Sequence, residues 1–94
     1  MKDVEIGTFY LKKGKYDAAI DRFMDASRAE PTYAMPWFLM GQAYEKKGDL
    51  AGSIKAYQKY LKLYPHAPDR KKIEAHIADL DKKQQQDAQK RGGK

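Results

Sequence analysis

The sequence predicts an all-α protein, a right-handed superhelical stack of antiparallel helix pairs with about five helices, and three observations predict it. The chain matches itself at a shift of 34 residues, its apolar residues recur three and four positions apart, and glycines and prolines punctuate the joints. A fixed period of this size marks a solenoid, in which each unit buries its apolar face against the next. Spacings of three and four place those residues on one helical face.

The repeat aligns Gly7 with Gly41, Tyr10 with Tyr44, Lys12-Lys13-Gly14 with Lys46-Lys47-Gly48, Ile20 with Ile54 and Pro31 with Pro65. Phe23 and Tyr57 match in character, as do Ala19 and Ser53, and Tyr16 and Leu50. The first helix is expected from about Asp3 to Lys13, stopping at Gly14 because glycine adopts the left-handed conformation that ends a helix. The second is expected from Asp17 to Ala29, before Pro31, which lacks the amide hydrogen needed to continue.

A third helix is expected over Tyr33 to Lys47, with Pro36 in its first turn where a missing donor costs little, and a fourth over Leu50 to Leu63. Gly7 and Gly41 each lie one turn before a tyrosine, so a second helix is expected to approach closely there, with Tyr10 or Tyr44 across the gap. After Pro65-His66-Ala67-Pro68, the segment from Asp69 to about Lys90 carries Ile73, Ile77 and Leu80 on one face and charge elsewhere. That pattern suits a cap covering the last unit. The stripe fades after Leu80, and the stretch from Gln84 is expected to project into solvent. One domain is expected over residues 1–90, with units at 1–33 and 34–67, a capping helix at 68–90 and a flexible tail at 91–94.

Composition narrows the function. With 41% hydrophobic and 34% charged residues the chain is too apolar for disorder and too polar for a membrane protein. There is no cysteine to form a disulfide, a thiolate metal site or a nucleophile. The net charge of +6 is spread: residues 1–65 carry 11 Lys and Arg against 8 Asp and Glu, and residues 66–94 carry 8 against 5. Lysines beside Gly14 and Gly48 fit solvated helix C-termini, so a nucleic acid is a disfavoured partner.

The chain is read as no enzyme. His66 and His76 stand ten residues apart, without the spacing that puts two metal ligands on one helix face. Ser27 and Ser53 fall inside helices, where each hydroxyl is expected to bond the preceding turn. Carboxylate pairs such as Asp21 and Asp25, or Asp79 and Asp81, look solvated, whereas acid–base chemistry needs groups shifted by burial. No cofactor, metal or catalytic residue is expected.

The set Trp37, Gly41, Tyr44, Gly48, Ser53, Tyr57 and Pro65, mirrored by Gly7, Tyr10, Gly14, Ala19, Phe23, Ala26 and Pro31, resembles the tetratricopeptide repeat, a 34-residue helix-turn-helix unit. Departures are Asp3 at the register of Trp37, Tyr60 at that of Ala26, and Lys71, Ala75 and Ala78 in the third register, which makes the third unit a cap. Two units fall short of the roughly three a solenoid usually needs. The chain is therefore expected either to dimerise, by exchange of its last helix, or to be part of a longer protein.

The resemblance implies a concave groove lined by the first helix of each unit, holding a partner peptide or helix. Carried onto this sequence, the groove face comprises Val4, Thr8, Leu11 and Lys12, then Met35, Phe38, Gln42 and Glu45, with Lys72 and His76 added by the cap. Met35 and Phe38 are the apolar anchors, or else packing residues. Some family members clamp a carboxylate with asparagines; this chain has none. A homo-oligomer formed through the same surfaces is the alternative. The first unit also resembles repeats of bacterial outer-membrane assembly lipoproteins, which adds the bacterial periplasm to the cytoplasm as an expected compartment.

Overall fold

A computed structural model describes residues 2–92, with side chains described for residues 2–87. Five helices follow one another: α1 (Lys2–Lys12), α2 (Tyr16–Ala29), α3 (Met35–Lys47), α4 (Leu50–Leu63) and α5 (Arg70–Gly92). No strand occurs among the described residues. Each helix packs mainly on its neighbour in sequence, so the stack runs from α1 to α5 without crossing over.

Gly14 and Gly48 adopt φ of +77° and +93°, the left-handed conformation that closes α1 and α3. After α3 the chain turns at once, and the Asp49 carboxylate accepts from Gly52 N at 2.9 Å, capping α4. The helix bounds differ from expectation mainly at α3, which starts at Met35 and not at Tyr33. The Tyr33 amide donates to the Glu30 carbonyl at 3.0 Å, so that stretch is a turn. Pro36 lies in the first turn of α3, as expected.

Two apolar clusters make the core. Ala19, Ile20, Phe23, Met40, Ala43 and Ala56 join α2, α3 and α4, with Tyr10 and Tyr44 half-buried against them. Tyr57, Tyr60, Leu61, Ala67, Ile73 and Leu80 join α4 to α5. Trp37 packs against both, so one side chain links the two clusters.

The glycine gaps are filled otherwise than expected. A Cβ on Gly7 would stand 2.5 Å from Phe23, and one on Gly41 the same distance from Tyr57. It is thus the aromatic residue of the following helix that crosses each gap. Tyr10 and Tyr44 sit on the glycine-bearing helices themselves; the Tyr44 ring instead covers Gly52, where a Cβ would lie 2.8 Å away. Ser27 bonds the preceding turn, donating to the Met24 carbonyl at 2.8 Å. Ser53 departs from expectation and donates across helices to the Gly41 carbonyl at 2.8 Å, because α4 lies so close to the bare glycine.

The helix α5 remains regular beyond the apolar stripe. Glutamine, alanine and lysine are good helix formers, and Gln85 donates to Asp81 one turn earlier at 3.2 Å. Of the expected tail, residues 91 and 92 belong to α5, and Gly93 and Lys94 lie outside the described residues.

Candidate functional site

A cleft of about 610 Å³ opens between α3 and α5, floored by Tyr57 of α4. It exists because the backbones of α3 and α5 stay apart while both lean on α4. Tyr57 is drawn into the floor by Gly41 and is 3% exposed. Its ring stacks at an angle on Phe38, with centroids 5.7 Å apart, and edge-on to His76 at 5.5 Å.

One carboxylate ties the three helices together. Glu45 Oε1 accepts from the Tyr57 hydroxyl at 3.2 Å and lies 2.7 Å from His76 Nε2, which must donate because a carboxylate only accepts. The Glu45–His76 link spans the cleft from α3 to α5. Burial pushes the Tyr57 phenol well above its ordinary range, and the Glu45 charge and hydrogen bond push it the same way. A neutral hydroxyl therefore persists there, fit to donate.

Other polar groups of the cleft are uncommitted. Gln42, Lys46, Lys72 and Asp79 line it without a hydrogen-bond or ion partner among the described residues. Such groups can meet a ligand without first breaking a bond within the protein. A smaller hollow of about 400 Å³ between α4 and α5 differs in this respect. There Arg70 already donates to Glu74 at 3.1 Å and to the Pro65 carbonyl at 2.8 Å.

Of the groove residues expected from sequence, Phe38, Gln42, Glu45, Lys72 and His76 come together in this cleft. Five others lie outside it. The Thr8 hydroxyl donates to the Val4 carbonyl at 2.7 Å within α1. Leu11 packs against the first core cluster, and Lys12 and Met35 are exposed. Sequence reasoning missed Lys46, Tyr57, Ile73, Ala75 and Asp79. The repeat itself held the signal for one of them, since Asp79 occupies the register of Glu45. Among the described residues no group of three or more His, Cys, Asp or Glu is placed to hold a metal ion, and no helix is long and apolar enough to cross a membrane.

Residues 5–68 match the family model for the tetratricopeptide repeat, which covers both hairpins. The chain belongs to the tetratricopeptide repeat family. The stack of helices is accordingly a helical solenoid of that family, whose members are in general interaction modules. A tetratricopeptide repeat domain-containing chloroplast protein of Arabidopsis thaliana is 33% identical over 61 residues, 65% of this chain and 20% of that protein. Superkiller protein 3 of Saccharomyces cerevisiae is 33% identical over 60 residues, 64% of this chain and 4% of that protein. A TPR repeat-containing protein of Pseudomonas aeruginosa is 32% identical over 56 residues, 60% of this chain and 53% of that protein. The chain thus spans between a twenty-fifth and about half of the length of these relatives.

Proposed function

We propose that this tetratricopeptide repeat chain is a non-catalytic adaptor that holds a peptide or helix of another protein in the cleft between α3 and α5. The observation that supports this reading is a concave, partly aromatic cleft whose polar lining is left unpaired among the described residues at Gln42, Lys46, Lys72 and Asp79. Binding sites combine an apolar floor with a few polar groups that fix orientation. In this reading Phe38, backed by the buried Tyr57 ring, supplies the apolar contact, and the uncommitted groups set the register of the partner. A partner longer than the cleft would run on over Met35 and the α1 face at Val4, Thr8, Leu11 and Lys12.

Ala75 offers the clean test, being exposed on the cleft wall and outside both core clusters. Ala75→Trp should fill the cleft and lower retention of partner protein at least tenfold, with the circular dichroism spectrum and melting temperature unchanged. Undiminished retention by a folded variant defeats the reading. A second reading, self-association, is favoured by Phe9, which is 57% exposed on α1 although the Lys13 ammonium lies over its ring and Tyr10 meets it edge-on. Sedimentation of the wild type and Phe9→Ser decides it; a monomer across a wide concentration range counts against it.

A further inference from the structure

The charge of the cleft names the chemistry of its occupant more narrowly than the fold does. Glu45 and Asp79 occupy the same register of the repeat, on helices α3 and α5 that run in the same direction, and both line the cleft. Only Oε1 of Glu45 is engaged, by Tyr57 and His76, which leaves Oε2 without a partner among the described residues. Asp79 has none at all among the described residues. Two acceptors therefore converge at one end of the cleft, where the α3 C-terminus adds further negative potential. The other end presents Phe38 and the unpaired Lys72. Lys46 also borders the acidic end but pairs with neither carboxylate. The cleft is thus polarised, apolar and cationic at one end and acidic at the other.

We infer that the cleft takes an extended segment carrying an aromatic or large aliphatic residue and, three positions away, an arginine or lysine. The apolar residue seats on Phe38 and the cation between Glu45 and Asp79. This rests on the adaptor reading above and commits it to a basic, apolar-anchored partner. The spacing follows from the helix: Phe38 and Glu45 are seven residues apart, about 10 Å along α3, which a chain in the extended polyproline II conformation covers in about three residues, one full turn, so that both side chains face the cleft. An acidic residue at the same position would face two carboxylates, and like-charge contact is a strong means of rejecting a partner.

The test uses the full chain and two end-blocked peptides of equal length on a serine and glycine background. One bears Phe and Arg three positions apart, and the other bears Glu in place of Arg. Titration followed by backbone amide resonances reports both affinity and place. The arginine peptide should bind about five- to tenfold tighter than the glutamate peptide, since partly exposed charge pairs contribute modestly and are screened by salt. It should shift the amides of residues 42–46 and 75–79. Asp79→Lys, at an exposed position, should invert the preference without changing the melting temperature. Equal or tighter binding of the glutamate peptide at those same amides overturns the charge assignment and leaves the adaptor reading standing. Perturbation confined to other surfaces overturns both, and no binding of the arginine peptide at millimolar concentration overturns the inference itself.

Discussion

At the residue scale, Gly41 carries more of the architecture than its size implies. Its missing side chain admits the Tyr57 ring and lets Ser53 reach its carbonyl at 2.8 Å. Ala is normally the better helix former by about 1 kcal/mol, but a Cβ at Gly41 would press on a ring held by the Glu45 carboxylate and by Phe38. Overpacking of this kind costs about 1–3 kcal/mol. Gly41→Ala should therefore lower unfolding free energy by roughly 1–2 kcal/mol in urea titrations and shift the His76 ring resonances. Unchanged or raised stability would show that α4 yields easily. The matching Gly7→Ala change meets Phe23, which has no hydroxyl to anchor it, and should cost less. The glycines are legible in the sequence because the repeat aligns them. Which aromatic fills each gap is not, because that depends on which face of α2 or α4 turns inward, a property of the pair and not of either helix.

At the element scale, the two hairpins differ in how their second helices begin. Asp49 caps α4 through its carboxylate, whereas Lys15 at the equivalent position of α2 provides no side-chain acceptor. Losing a cap costs about 1 kcal/mol, so Asp49→Ala should destabilise by that amount in a denaturant titration. Lys15→Asp should stabilise by a similar amount. An unchanged midpoint in both variants would mean that water satisfies these amides equally well. The cap helix separates along its length in the same way. Ile73 and Leu80 are buried against α4, but residues 81–83 and 85–87 are exposed. Truncation after Lys83 should leave the melting temperature within a few degrees, while truncation before Arg70 should expose the second cluster and abolish cooperative unfolding. The apolar stripe at Ile73, Ile77 and Leu80 made this cap legible. The continuation of the helix beyond it was not, because a polar helix carries no apolar periodicity to read.

At the scale of the whole molecule, the five helices were legible because period, glycine and proline agreed at every joint. Five of the ten residues expected on a groove face, Phe38, Gln42, Glu45, Lys72 and His76, share one cleft, since they lie on the facing sides of α3 and α5. Val4, Thr8, Leu11, Lys12 and Met35 do not join them, because the cleft is opened by the separation of α3 from α5, and sequence spacing carries no information on that gap. The second core cluster also holds two phenols of α4, one bonded to Glu45 of α3 and one to Asp69 just before α5, and this has a consequence for stability against pH. Tyr57 is raised by burial first and by Glu45 second; Tyr60 is raised by burial and by its bond to Asp69 at 3.1 Å. In the unfolded chain both would ionise near pH 10. The folded state therefore keeps protons that the unfolded state releases above that pH, and the linkage relation makes stability fall as pH rises. Their contribution is complete below about pH 10 and is lost as pH climbs through the raised folded values. Melting temperature should accordingly hold steady from neutral pH to about pH 9.5 and then decline. Tyr57→Phe with Tyr60→Phe should start lower, having lost both hydroxyl bonds, and decline less steeply over the same range. Parallel slopes for the double variant and the wild type would assign the alkaline loss to other groups, with the raised Lys47 beside Asp17 the first to examine.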